Sequence, residues 1–146
     1  DLESAFLVIS ATDDEKINRR VAVDCLERNI LINVVDDPAK CNFIVPAVFR
    51  QGALSVSVST EGKSPMLARK IREDLPAVFG PEYGEFLELM GDLREQIINT
   101  VAVPEERRRL FYDLVNSDIL ELLKNGQHEK VKERIGLVLG HSRTQP

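Results

Sequence analysis

The chain has 146 residues, of which 43% are hydrophobic and 29% are charged, and its formal net charge is −5. This composition indicates a soluble globular protein with one ordinary core or two small lobes. No run of about 18 apolar residues occurs, which argues against a membrane-spanning helix. The start, Asp1-Leu2-Glu3, lacks the basic and then apolar order of a signal peptide, so we expect a cytoplasmic protein.

The charge is segregated along the chain. Residues 1–37 carry a net charge of −5, residues 38–72 carry +5 and residues 73–146 carry −5. A local positive field in an acidic protein attracts an anionic ligand without making the whole surface bind nucleic acid. Solvated helix and loop charge is the alternative explanation for this basic segment, whose cations are Lys40, Arg50, Lys63, Arg69, Lys70 and Arg72.

The first part of the chain has the pattern of a strand, a helix and a second strand. Residues 6–9 and 30–35 are apolar runs typical of buried parallel strands. Between them, Thr12 and Glu15 have the spacing of a helix capping box, apolar residues follow at helical intervals, and Asn29 can end the helix. This order predicts one βαβ unit.

A βαβ unit with only two parallel strands is not a stable domain. It leaves an open sheet edge and an uncovered apolar face. We therefore expect partner strands to come from elsewhere, and the chain to begin inside a domain.

The middle of the chain predicts a small sheet, and the remainder predicts helices. Residues 43–50 are typical of a strand that Pro46 confines to an edge or a bulge, and residues 54–60 alternate between hydroxyl and apolar side chains. Ser64-Pro65 begins a helix that extends to residue 75. Amphipathic segments then predict a small helical bundle from residues 82–101, 104–115, 117–124 and 127–139.

Common motifs for binding metals and phosphates are missing from the sequence. Cys25 and Cys41 lack metal-ligand spacing, so we expect reduced thiols and no metal site. Gly62-Lys63-Ser64 resembles the end of a phosphate-binding loop, but residue 57 is serine where that motif needs glycine. The eight glycines contain no G-x-G-x-x-G, so this sequence provides no phosphate cradle for a dinucleotide.

Two aspartates follow the second predicted strand directly. Asp36 is the first residue after that strand, at the sheet edge where open α/β sheets bind their ligands. Its carboxylate could therefore take a proton from a substrate or bind a divalent cation. Asp37-Pro38 favours a turn. A turn role is the alternative for both aspartates, and it fits Asp37 better than Asp36.

Four segments, in this order, together resemble one family. They resemble the precorrin-2 dehydrogenase module that forms the N-terminal part of sirohaem synthases. The segments are Ala11-Thr12-Asp13-Asp14, Asn33-Val34-Val35-Asp36-Asp37-Pro38, Cys41-x-Phe43-x-x-Pro46-Ala47 and Ser59-Thr60-x-Gly62-Lys63-Ser64-Pro65-x-Leu67-Ala68-Arg69-x-x-Arg72.

The resemblance implies an α/β fold with three parts. Residues 1–37 would be the C-terminal portion of an incomplete NAD-binding Rossmann-like domain, residues 38–75 a small β-rich dimerisation and substrate domain, and residues 76–146 a helical domain. The family's glycine-rich N-terminal half and the methyltransferase domain of fused members are absent from this sequence. A single-module enzyme is therefore the better match, and we expect this chain alone not to bind NAD tightly.

The resemblance also implies roles for individual residues. Asp36 matches the family's catalytic aspartate, implied as a general base and in chelation. Thr12 and Asp13 match the family's loop beside the nicotinamide end of NAD. Asn33 and Val34 match cofactor-binding positions at the next strand end. The dimer and substrate region is matched by Lys63, Ser64, Arg69 and Arg72.

The implied activity is NAD-dependent oxidation of precorrin-2 to sirohydrochlorin by a homodimer. Some members of the family also insert Fe²⁺ to give sirohaem. The basic segment suits the many carboxylates of such a tetrapyrrole. Two alternatives stay open. One is a sirohydrochlorin metal chelatase without dehydrogenase activity, and the other is a non-catalytic fragment that binds tetrapyrrole and dimerises.

Overall fold

The computed structural model describes residues 2–141, and these residues fall into two compact units. The first unit contains the described residues up to Val48 together with Ser57–Glu73. The second contains Phe49–Val56 and the described residues from Asp74 onward. The predicted three-part division at residues 37 and 75 stays a prediction.

The first unit contains the predicted βαβ arrangement. Strand β1 (Leu7–Ser10) is followed by helix α1 (Glu15–Glu27) and strand β2 (Leu31–Val34). The two strands pair in parallel, with Leu7 opposite Leu31 and Ser10 opposite Val34. Asn29 adopts a left-handed φ of 56° just after the helix, as a helix stop requires. The mixed α/β fold is therefore confirmed, with a parallel pair of strands at its start.

The residue that begins α1 differs from the prediction. Asp14, not Thr12, is the N-cap, because its carboxylate accepts hydrogen bonds from the backbone N–H groups of Lys16 at 2.8 Å and Ile17 at 3.3 Å. The capping-box assignment to Thr12 and Glu15 is thus wrong. The Thr12 side chain instead bonds to Asn18 one turn into the helix.

Replacing Asp14 with Ala should destabilise the first unit by about 1 kcal/mol, since two N–H groups at the helix start lose their acceptor. Asp14→Ser is the matched control, because serine is an equally good N-cap and should recover most of the loss. Urea unfolding of the two variants measures the difference. Equal stability of Asp14→Ala and wild type would contradict this assignment of the cap.

The core of the first unit lies on one side of its two-stranded sheet. Its buried residues come from α1, from β2 and from the residue before β2, and they are Ala22, Cys25, Ile30, Ile32 and Val34. Leu7, Ile9 and Ile17 nevertheless remain exposed by 45%, 57% and 50%. Burial of these side chains would require further layers, and the expectation of partner strands stays a prediction.

A β-hairpin follows, formed by β3 (Ala47–Gln51) and β4 (Leu54–Val58). Two strands joined by only two residues can pair only in antiparallel fashion. The predicted strand start at residue 43 is wrong, because Pro46 has no N–H for a ladder and residues 42–43 bond to β2 instead. Helix α2 (Pro65–Asp74) then begins at Ser64, whose Oγ accepts the Leu67 N–H at 3.3 Å.

The second unit is held together by four helices. They are α3 (Pro81–Thr100), α4 (Pro104–Val115), α5 (Ile119–Lys124) and α6 (His128–His141), close to the predicted segments. Each helix contributes to one core, whose buried members are Phe86, Leu93, Ile97, Leu110, Leu114, Ile119, Leu123 and Val131. Among the described residues, no helix combines the length and apolar character that crossing a membrane requires.

The tip of the β-hairpin packs against α3 inside this second unit. Gly52 has a φ of 57°, and a Cβ added to it would lie only 2.9 Å from the Cα of Gly84. The backbones therefore approach each other more closely than any side chain at Gly52 would permit. Glycine is needed at residue 52 both for space and for the left-handed backbone, whereas a Cβ added to Gly84 would make ordinary contacts of 3.6 Å.

Candidate functional site

The candidate site lies where the two parallel strands of the first unit end. Ser10 is paired with Val34, and the Val35 N–H donates to the Ser10 carbonyl at 2.9 Å, which carries the ladder one residue further. The loops that follow β1 and β2 therefore leave the same edge of the sheet. One loop carries Thr12 and Asp13, and the other carries Asp36.

Asp36 lies in a tight turn directly after β2. The Asp37 N–H donates to the Val34 carbonyl at 3.2 Å, and Asp36 between them has a φ of 61°. This left-handed conformation is tolerated by aspartate, asparagine and glycine better than by other residues. Asp36 thus occupies a turn position and is also exposed at the strand end.

Asp37 has a different environment. Its carboxylate makes a short ion pair with the ammonium group of Lys40, which lies 3.6 Å from the Glu15 carboxylate at the start of α1. The hydrogen bond from Lys40 is the main reason why the pKa of Asp37 lies below its ordinary value, and the same bond raises the pKa of Lys40. Lys40 therefore links the turn after β2 to the beginning of the helix that follows β1.

The Asp37–Lys40 pair should make stability depend on pH in a defined direction. Because the folded pKa of Asp37 is below 3.8, its contribution is present above that pH and is lost as the pH falls through the lowered pKa. The raised pKa of Lys40 keeps its contribution complete below pH 10.5, with loss as the pH rises through the raised value.

We therefore expect Asp37→Asn to lower Tm near neutral pH and to match wild type in strong acid, in thermal unfolding followed over pH. The control is Glu61→Gln, which removes a carboxylate from the exposed Lys63–Glu61 pair and should change Tm less. A Tm difference for Asp37→Asn that persists in strong acid would show that the pair is not its cause.

The outer edge of β2 is closed by side chains from the segment after the turn. Asn42 accepts the Ile32 N–H at 2.7 Å and donates to the Ile30 carbonyl at 3.0 Å, and its own N–H donates to the Ile32 carbonyl. Cys41 Sγ accepts the Val34 N–H at 3.1 Å. These contacts replace a neighbouring strand, so β2 has no open edge here. These contacts could not be predicted from the sequence, because two isolated polar residues have no period.

Thr12 and Asp13, which are predicted to contact the cofactor, lie on an exposed loop. Thr12 is nevertheless tightly held, because Asn18 bonds to its hydroxyl, its N–H and its carbonyl. Asp13 is exposed. Asn18 was not predicted as a site residue, although its place one turn after the helix start is what brings it back to the loop.

Asn33 and Val34 are more enclosed than the other predicted cofactor residues. Asn33 Nδ2 donates to the Phe43 carbonyl at 3.1 Å. Val34 is buried, its N–H donates to Cys41 and its carbonyl accepts the Asp37 N–H. In this structure both residues fix the strand end, and a direct contact with cofactor stays a prediction for each.

The predicted substrate loop lies beside the Asp36 turn. A Cβ added to Gly62 would lie 3.3 Å from Pro38 Cβ, which places the Gly62 loop against the residue that follows Asp37. Ser64 caps α2, and its N–H donates to Thr60 Oγ1 at 3.1 Å. Lys63 is 81% exposed in its side chain. The first unit therefore brings the loop that leads into Lys63 and Ser64 against Pro38, which follows two residues after Asp36.

The basic segment is paired with acids more fully than its sequence indicates. Glu73 Oε1 accepts from Arg69 Nε at 2.8 Å and from Arg72 at 3.1 Å, and Lys63 pairs with Glu61. The bond from Arg69 lowers the pKa of Glu73. Exposed pairs of this kind are screened by solvent and contribute little to stability, so a multivalent carboxylate ligand could replace these partners at little cost.

The donors available at the strand ends fit one part of a dinucleotide cofactor. Thr12 and Asp13 present short polar side chains on an exposed loop at the carboxyl edge of a parallel sheet, where such cofactors bind. The sequence has no glycine-rich turn to hold the phosphates. Within residues 2–141, no three His, Cys, Asp or Glu side chains are grouped closely enough to hold a metal ion.

Family models match three consecutive parts of the chain. A putative NAD(P)-binding model matches residues 1–47, the sirohaem biosynthesis protein central model matches residues 51–76, and the sirohaem synthase dimerisation region matches residues 82–136. The siroheme synthase of Actinobacillus succinogenes is 38% identical over 138 residues, or 94% of this chain. That of Photorhabdus laumondii is 35% identical over 99% of this chain.

The resemblance to the sirohaem synthase family is confirmed. The chain spans only 29% and 31% of the lengths of these two siroheme synthases. A solved structure, "SirC, precorrin-2 dehydrogenase", shares the fold with a TM-score of 0.78 and 24% identity, over 96% of this chain and 66% of that one. The likeness supports the α/β fold with a helical C-terminal part.

The family descriptions also bear on where dimerisation would occur. The family model described as the dimerisation region matches helices α3–α6, whereas the motif resemblance implies a dimerisation and substrate domain at residues 38–75. Helix α2, in the latter segment, exposes Leu67 by 49% and Ile71 by 38%. The location of a dimer interface stays a prediction.

Proposed function

We propose that this chain is part of a cytoplasmic, homodimeric enzyme of sirohaem biosynthesis that oxidises precorrin-2 to sirohydrochlorin with NAD⁺. The observation that carries the proposal is the common sheet edge at Ser10 and Val34, from which the Thr12 loop and the Asp36 turn both leave. Cofactor and substrate contacts would then meet at one place. The matched NAD(P)-binding and sirohaem biosynthesis models support this reading.

Asp36 is the residue we assign to proton transfer. It is exposed, and in the described part of the chain its carboxylate has no ion-pair partner, while the adjacent Asp37 is held by Lys40. NAD⁺, when bound, supplies the hydride acceptor. Removal of two hydrogens from the substrate then releases one proton, which the Asp36 carboxylate can accept. Such general-base catalysis contributes about 10²–10⁴-fold in rate.

The neighbouring cations are proposed to bind the substrate's carboxylates. Lys63 lies in the loop beside the Asp36 turn, and Arg69 and Arg72 follow on α2. Arginine forms two parallel hydrogen bonds with a carboxylate, which makes it suited to a ligand with many acidic side chains. Ser64 would contribute a hydroxyl at the start of the same helix.

The experiment that tests this function follows NADH formation by the full-length protein with precorrin-2 and NAD⁺. We expect NADH and sirohydrochlorin to appear together in equal amounts. Reactions lacking either NAD⁺ or precorrin-2 are the controls. No NADH formation by a correctly folded full-length protein would overturn the proposal.

The carboxylate of Asp36, which has no ion-pair partner among the described residues, also supports a second candidate function. This function is insertion of Fe²⁺ into sirohydrochlorin. Carboxylates bind divalent cations, and here Fe²⁺ would be a substrate. Metal insertion that proceeds without NAD⁺ and is lost in Asp36→Asn would support it. Tight sirohydrochlorin binding with neither activity would instead select the non-catalytic binding and dimerisation function.

A further inference from the structure

We infer that Asn18 is the positioning residue that orders the loop after β1 for cofactor binding. This inference rests on the proposed NAD-dependent function, because it assigns the cofactor contact to Thr12 and Asp13. Residues 11–14 of this loop are all exposed, so burial contributes little to holding it. Its order must therefore come from hydrogen bonds.

Asn18 makes four hydrogen bonds to two residues of this segment. Its Oδ1 accepts from Ser10 Oγ at 2.8 Å, from Thr12 Oγ1 at 2.7 Å and from the Thr12 N–H at 3.3 Å. Its Nδ2 donates to the Thr12 carbonyl at 2.8 Å. Asn18 thus holds both backbone groups of Thr12 and the last residue of β1.

The amide of Asn18 can fit in only one orientation. The Thr12 N–H can only donate and the Thr12 carbonyl can only accept, so oxygen must face the first and nitrogen the second. A carboxylate at residue 18 would place an oxygen against the carbonyl. An amide is therefore required, and aspartate of the same shape should fail.

Asn18 can hold the loop in place because it lies on helix α1, which is itself fixed. It lies in the first turns of α1, whose start is fixed by the Asp14 cap, and its own N–H donates to the Asp14 carbonyl at 3.0 Å. Ser10, at the other end of these bonds, is 5% exposed and paired in the sheet. The loop is thereby tied at once to the strand that precedes it and to the helix that follows.

The test compares Asn18→Asp with Asn42→Asp by amide hydrogen exchange. Asn42 is the matched control, because it also accepts a backbone N–H and donates to a backbone carbonyl, but at the edge of β2. We expect exchange at Thr12 to accelerate about tenfold in Asn18→Asp, since one hydrogen bond is worth about that factor. Asn42→Asp should leave exchange at Thr12 unchanged. Unchanged exchange in Asn18→Asp would overturn the inference.

Kinetics of the full-length protein separate positioning from a general loss of structure. We expect Asn18→Asp to raise KM for NAD⁺ about tenfold and to change kcat by less than about threefold. Ser10→Ala removes one of the four bonds and should have a smaller effect. If kcat instead fell about tenfold while KM for NAD⁺ stayed unchanged, the positioning role would be overturned. A wild-type protein that forms no NADH would overturn the proposed function, while the exchange data would still decide whether Asn18 orders the loop.

Discussion

Asp36→Asn in the full-length protein should lower kcat for precorrin-2 oxidation by about 10²–10⁴-fold, because the amide cannot accept the proton. Asparagine keeps the shape of the side chain and tolerates the φ of 61° that residue 36 adopts. The melting temperature should therefore stay near that of wild type. Steady-state NADH formation and thermal unfolding of the same preparation measure the two quantities.

The choice of asparagine rather than alanine matters at this position. Alanine in a left-handed conformation costs about 1 kcal/mol or more, so Asp36→Ala would combine a chemical loss with a distorted turn. Asp37→Asn is the control for removing one negative charge from the same turn. Its effect on kcat should be below about fivefold, since it weakens only an ion pair. Near-normal turnover by Asp36→Asn would exclude Asp36 as the base.

Gly52→Ala should destabilise the second unit by about 2–4 kcal/mol, which combines the cost of a left-handed alanine with that of overpacking. The added Cβ would lie 2.9 Å from Gly84 Cα, and two backbones have little freedom to move apart. Urea unfolding measures the loss. Since the hairpin tip packs on α3, we expect the whole unit to be affected.

Two other glycines allow the two costs to be separated. Gly126 also has a positive φ, of 67°, but nothing lies within 4 Å of an added Cβ, so Gly126→Ala should show the backbone cost alone. Gly91, in α3, has neither constraint, and Gly91→Ala should stabilise the helix by about 0.5–1 kcal/mol. Equal losses in Gly52→Ala and Gly126→Ala would show that the hairpin tip is not held against α3.

Periodic features of this fold could be predicted from sequence. The apolar runs at residues 6–9 and 30–35 became β1 and β2, and the four C-terminal helices lie near their predicted bounds. In each of these elements many residues face the same core, so that apolar residues recur with the period of the strand or helix. The resemblance to the family was likewise found from ordered motifs rather than from any single residue.

The features that sequence missed depend on single side chains. Thr12 and Asp14 can both cap a helix, and only the path of the loop selects Asp14. The basic segment spans residues 38–72, and Asp37 and Glu73, which pair with its cations, lie just outside these limits. Ion pairing depends on proximity in space, which a count along the chain does not measure.

The closure of the β2 edge sets a limit on how this chain can vary in length. Surface loops usually accept insertions. Here the segment from Asp36 to Asn42 must place one carboxylate at the end of β2 and then return an amide to Ile30 and Ile32 on the same strand. An added or deleted residue between them would shift one group or the other. Relatives that keep both groups should therefore keep the length of this connection unchanged.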